Sequence, residues 1–188
     1  MHKKSNYMEI TGIFFTAAGC IFMRNLYALS NYGLSGVLFG SVNSSVWEYA
    51  KTLFLPYLVW SAVELLCLGK KLRRFTVIKT SALCLILAVY LPLSYLFTKS
   101  NPNGVAEMII SLLTVTAAQI FSVILFKSRL KPERYFSVAL CTLFLLLAFY
   151  FSFTPFPPGS PLFADRISGQ YGIPPLGYDF GADVLVSK

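Results

Sequence analysis

Along the chain, long apolar stretches alternate with short segments crowded with charge. The stretches run from about Met8 to Leu29, Ser45 to Leu68, Phe75 to Phe97, Gly104 to Phe126 and Tyr135 to Phe153. A helix crossing a hydrocarbon layer of about 30 Å needs about 20 mainly apolar residues. Each stretch is long enough. The pattern predicts an all-α integral membrane bundle of five transmembrane helices within residues 1–153, followed by a C-terminal segment over 154–188. Composition agrees, with 56% hydrophobic and 13% charged residues and a mean hydropathy of +0.64. A soluble domain carries about 25% charged residues, and 188 residues make too small a core to hide the apolar surplus. A soluble enzyme, a disordered tail and a disulfide scaffold are thereby excluded.

Charge adds an orientation. The chain has 16 Lys and Arg against 8 Asp and Glu. The N-terminus, the connector Lys70-Lys71-Leu72-Arg73-Arg74 and the connector Lys127–Arg134 hold ten of the bases, all on one side of a five-span bundle. The opposite side holds three: Lys99, Arg166 and Lys188. By the positive-inside rule the N-terminus is expected in the cytoplasm and the C-terminus outside the plasma membrane. The basic connectors are short and lack interleaved aromatics, so anionic lipid headgroups, not nucleic acid, are the expected neighbours.

The start of the first span also has features of a secretory leader: His2-Lys3-Lys4 as a charged region and Ala17-Ala18-Gly19-Cys20 as a cleavage site. Ile21-Phe22-Met23 continues the apolar run, however, and the small residues read better as a patch for close helix packing. Cys20, Cys67, Cys84 and Cys141 fall inside spans without metal-ligand spacing, so buried thiols and no cofactor are expected.

Polar side chains inside spans are costly and ask for a reason. Glu9, Glu64 and Lys79 lie near the basic side, where Lys79 is expected to snorkel and Glu64 to pair with Lys70 or Arg73. The other side is richer. Arg24, Asn43, Glu48, Lys51 and Glu107 lie near one depth, and two acids with two bases would make a neutral, outward-opening cluster. Ser45-Val46-Trp47-Glu48 also reads as a capping box, in which Glu48 is simply a good helix start. Trp47 and Tyr49 fit interfacial aromatics. The segment 30–44 is too short to span and reads as a re-entrant turn. Pro56 and Pro92 should kink their helices.

Six of the ten prolines fall between Pro155 and Pro175, so no helix continues there. Yet Phe156, Leu162, Phe163, Ile167, Tyr171, Ile173, Leu176, Tyr178 and Phe180 are spread through the tail, which a solvated linker would lack. An extended, Pro-rich segment lying over the mouth of the bundle is expected, with Asp165, Arg166 and Tyr171 as binding candidates; the alternative is a disordered terminus, especially after Gly181.

Two stretches carry a resemblance. Val42-Asn43-Ser44-Ser45-Val46-Trp47-Glu48-Tyr49-Ala50-Lys51 with Leu53-Phe54-Leu55-Pro56, and Pro161-Leu162-Phe163-Ala164-Asp165 with Gly169-Gln170-Tyr171-Gly172-Ile173, resemble a family of small multi-span bacterial membrane proteins classed as a domain of unknown function. The likeness implies the same five-span plan over most of the chain. That family's pattern has an acid at the position of Ser44 and histidines near Tyr49, near Gly159 and near Met23 or Arg24. This chain keeps Trp47, Glu48, Lys51 and Asp165 and has none of those histidines.

A non-enzymatic protein binding a lipid, a small molecule or a partner protein at the outward cluster is therefore the first expectation. The alternative is a membrane enzyme acting on a lipid-linked or extracytoplasmic substrate through Glu48, Glu107 and Asp165, with no histidine to tune. A small transporter ranks third.

Overall fold

The computed structural model describes residues 2–98 and 104–174. Its helices are α1 (His2–Leu29), α2 (Leu34–Phe39), α3 (Val46–Leu68), α4 (Leu72–Thr98), α5 (Gly104–Lys127) and α6 (Phe136–Ser152), with a 3₁₀ turn Pro132–Tyr135 ahead of α6. Five helical segments are long and apolar enough to cross a membrane: Tyr7–Leu29, Val46–Leu68, Leu72–Phe97, Gly104–Lys127 and Pro132–Ser152. Among the described residues the fold is all-helical, apart from one isolated antiparallel bridge between Ala164 and Tyr171.

Helices α1, α3, α4 and α5 close into a ring, each packed on the next, and α6 lies outside it against α4. The ring interior holds Cys20, Leu53, Tyr57, Ile86, Val115 and Ala118, and Tyr150 of α6 joins it against Phe54. The small-residue patch on α1 sets the α1–α3 spacing. A Cβ on Gly19 would lie 2.6 Å from Cβ of Pro56, so the proline ring of α3 seats directly on the glycine. Beside it the Cys20 thiol lies 3.1 Å from Thr52 Oγ1. On the perimeter, Phe14, Leu66, Leu113, Val138 and Phe144 are all more than half exposed, a surface that water disfavours and hydrocarbon accepts. Cys67 and Cys141 belong to that perimeter, so only Cys20 is the fully buried thiol expected of all four.

Two ends of the bundle differ. The basic end carries the connectors 70–71 and 128–131; the opposite, tail end carries α2 and residues 153–174. At the tail end, α2 folds back against α1, and Ser41 N donates to Met23 O at 3.2 Å, so segment 30–44 returns to the end it left. Ser45 caps α3 by accepting from Glu48 N at 3.2 Å. The reciprocal half of the expected capping box is absent: Glu48 accepts from Val42 N at 3.1 Å, and Asn43 Oδ1 satisfies Ser45 N at 2.9 Å.

The tail docks over the start of α3. Trp47 N donates to Leu162 O at 3.1 Å, and Asn43 Nδ2 donates to Gly172 O at 2.8 Å. Trp47 packs between Phe153 and Phe163, with ring centroids 5.3 and 5.4 Å away. It is a buried pin for the tail and not the lipid-facing anchor its position suggested. Leu176, Tyr178, Phe180, the end after Gly181, Lys99 and Lys188 lie outside the described residues.

Candidate functional site

The tail end gathers most of the candidate residues but not into one cluster. Glu48 and Lys51, one turn apart on α3, pair at 3.0 Å with side chains 3% and 0% exposed. Thr154 completes the group, accepting from Lys51 Nζ at 2.6 Å and donating to Glu48 Oε1 at 2.7 Å. Lys51 also reaches Val37 O of α2 at 3.3 Å. A hydroxyl between an amine and a carboxylate has the parts of an activated nucleophile. Here all three residues are buried and bonded to one another, so the group fastens α2 and the tail to α3 and offers no face to a substrate.

The second group centres on Glu107 in the first turn of α5. Its carboxylate accepts from Tyr90 Oη, from Ser94 Oγ at 2.6 Å and from the Arg166 guanidinium. Arg24 Nη2 stands 4.0 Å away and donates to Ser111 Oγ at 3.2 Å. The Tyr49 ring lies beneath both guanidiniums, 4.4 Å from Arg24 and 5.3 Å from Arg166, a cation–π arrangement. Two cations thus share one carboxylate. Arg24 keeps a buried Nε–H with no acceptor among the described residues.

Asp165 forms the third group. It accepts from Ser44 N at 3.0 Å and from Ser44 Oγ, and from Ser168 N at 3.1 Å and Ser168 Oγ at 2.6 Å. Burial pushes its carboxyl upward, but the hydrogen bonds from Ser168 and Ser44 outweigh that and hold it below the usual carboxylate range. Asn43 positions backbone on both sides, as above. Tyr171 stays apart from these groups, half-exposed, with its backbone paired to Ala164. The single neutral cluster of Arg24, Glu48, Lys51 and Glu107 is therefore corrected to two separate groups, because α2 and Thr154 close over the Glu48–Lys51 pair.

Two cavities meet at Arg24. A polar crevice of about 360 Å³ lies between the end of α1, the segment 41–44 and the tail, lined by Arg24, Asn25, Tyr32, Asn43, Tyr49 and Ile167 among others. An almost wholly apolar crevice of about 310 Å³ runs between α1 and α5, lined by Ala17, Ile21, Arg24, Met108, Ile109 and Leu112 among others.

The basic end holds a buried cluster that sequence reasoning missed. Lys79 does not snorkel. It is 5% exposed, and its Nζ lies 2.8 Å from Glu9 Oε2, 2.7 Å from Glu64 Oε2 and 3.2 Å from Gln119 Oε1. Lys70 meets the other Glu64 oxygen at 2.9 Å, as expected. The signal was available: Glu64, Lys79 and Gln119 lie roughly 6–12 Å inward from the basic ends of their helices at 1.5 Å per residue. No group of three or more His, Cys, Asp or Glu side chains among the described residues is placed to hold a metal ion.

Five membrane-length apolar helices, with charged groups buried inside their bundle, define a multi-pass helical membrane protein. Within that class the chain belongs to DUF6512, a family of unknown function, whose model matches residues 1–173 and so covers both the bundle and the docked tail. No curated protein and no solved structure matches the chain.

Proposed function

We propose that this is a non-enzymatic binding protein of a bacterial plasma membrane, with its basic end in the cytoplasm and its tail end outside. Membrane lipids are its surroundings and nucleic acid is not a partner. The orientation is supported by the ten-to-three division of basic residues between the two sets of connectors. The binding reading rests on one observation: an outward crevice of about 360 Å³ ends on a partly buried arginine, Arg24, whose buried Nε–H has no acceptor among the described residues. The enzyme alternative needs a carboxylate able to take or give a proton in that crevice. Glu48, Glu107 and Asp165 are instead each engaged by several protein donors.

Purification of the full chain in mild detergent, followed by extraction and mass spectrometry, tests the reading. A ligand should accompany the native protein and be lost from Ala28→Trp, which fills the polar crevice from an exposed position on α1. A native protein that carries nothing, or a ligand indifferent to Ala28→Trp, contradicts it. A reporter fused after Lys188 that works only in the cytoplasm should stay silent.

A further inference from the structure

The two crevices share one residue, and that residue is charged. Arg24 closes the apolar crevice at its tail-end limit and lines the polar crevice beyond it. From Val105 to Val115 the apolar crevice follows α5 for about 15 Å at 1.5 Å per residue. Its rim residues Ile21, Ile109 and Leu112 are about half-exposed, so it opens sideways through the apolar perimeter and not toward water. A hydrocarbon chain can enter it directly from the bilayer. At its end stands the Arg24 guanidinium, 4.0 Å from a Glu107 carboxylate that Arg166 also engages. Arg24 can still donate from Nε. The planar donor fork of a guanidinium suits bidentate contact with an anion such as phosphate.

We propose, resting on the binding reading above, that the ligand is an anionic amphiphile. Its acyl chain lies in the α1–α5 crevice, its phosphate meets Arg24, and the rest of its headgroup occupies the polar crevice under Ile167 of the tail. Neither cavity alone selects this class: an apolar groove takes any lipid tail, and a polar pocket takes any small polar molecule. Their junction at a partly buried cation with a spare donor is what selects it.

Native mass spectrometry of the full-length protein tests this, with phosphatidylglycerol and diacylglycerol, which lacks the phosphate, of identical chains offered at equal concentration. Phosphatidylglycerol should be preferred by about tenfold, the scale of one or two charge-assisted hydrogen bonds. Arg24→Gln should abolish the preference, and Arg24→Lys, which keeps the charge but not the fork, should reduce it. Ala17→Phe, placed in the apolar crevice away from every ion pair, should remove bound phosphatidylglycerol without lowering the melting midpoint. The Lys variant and that midpoint guard against a Gln variant that simply misfolds. Equal binding of the two lipids overturns the proposal, as does displacement of phosphatidylglycerol by millimolar inorganic phosphate, which marks a free-anion site. If a ligand is lost from Ala28→Trp but unaffected by Ala17→Phe, the binding reading survives and the amphiphile falls. If neither lipid, nor phosphate, nor any co-purified molecule binds, both fall.

Discussion

The two ends of the ring carry buried ionic groups that are nearly inverse in composition. At the tail end one carboxylate, Glu107, is shared by two guanidiniums; at the basic end one ammonium, Lys79, is shared by two carboxylates. Each trio has one charge in excess. At the basic end Lys70 reaches in from the rim to cancel it. At the tail end Arg24 stands where two cavities meet, its Nε–H without an acceptor among the described residues. A buried charge cluster in a membrane helix bundle is therefore not by itself a site. On the binding reading proposed above, what separates scaffold from site is a donor left unused and whether a cavity reaches it.

The contrast can be broken from either side. Lys79→Met should have the largest effect, since it strands the Glu9 carboxylate in the interior of the ring and leaves Glu64 with Lys70 alone. Breaking a buried pair costs about 3–5 kcal/mol, read as a drop in the unfolding midpoint in detergent. Adding Glu9→Gln and Glu64→Gln should restore most of that stability. A silent single variant would mean that the cluster does not hold α1, α3 and α4 together.

Glu107→Gln should cost less, about 2–3 kcal/mol, because the two arginines it releases are 15% and 11% exposed and can turn toward water. It should also speed hydrogen exchange across residues 160–174, since Arg166 loses its anchor. A loss equal to that of Lys79→Met would make the two ends equivalent and erase the distinction.

Asp165→Asn follows, at about 1.5–2 kcal/mol, the lower part of the range for hydrogen bonds to a charged acceptor. Its pH dependence has a definite sign. The native carboxyl titrates below its unfolded value of about 3.9. Its contribution to tail docking is therefore fully present above pH of about 4 and lost as pH falls through the lower, native value. Protection of the Ser44 and Ser168 amides, followed from pH 7 downward, should show this loss in the native chain and not in Asp165→Asn. The smallest change is Ser45→Ala, which removes one helix cap at about 1 kcal/mol and should lower the melting midpoint accordingly.

The five spans were legible because a bilayer imposes length and apolarity on each helix separately, with no need for partners. Even so, α4 starts at Leu72 and not Phe75, since hydropathy stops at Arg73 and Arg74 while backbone hydrogen bonding does not. Partnership was another matter. Lys51 and Lys79 are the same residue type inside a span, yet one is closed off by Thr154 and the other bridges three helices. What decides this is the order of helices around the ring, with α1 between α3 and α5, and hydropathy does not encode that order. Asp165 and Ser44 lie 121 positions apart, so no local motif could pair them. Ser45-Val46-Trp47-Glu48 matched a capping box, but its carboxylate was diverted to Val42 by α2 folding back. The missing histidines spoke against acid–base chemistry without pointing to the junction at Arg24, which requires three helices to be in place.

The docking of the tail on the start of α3 also sets a clock. The Ser44 and Trp47 amides belong to the first third of the chain, but their acceptors, Asp165 and Leu162, are made near its end. At a synthesis rate of about 5–20 residues per second, a gap of 121 residues leaves those amides waiting for about 6–24 s. During that interval the helices can insert one after another while the tail-end crevice still has no roof. A ribosome that stops just short of Leu162 would release a chain with every membrane-length helix and an unfinished site. Completion of the tail-end crevice is thus tied to completion of the polypeptide, so a truncated product would keep its membrane-length helices and lack the roof.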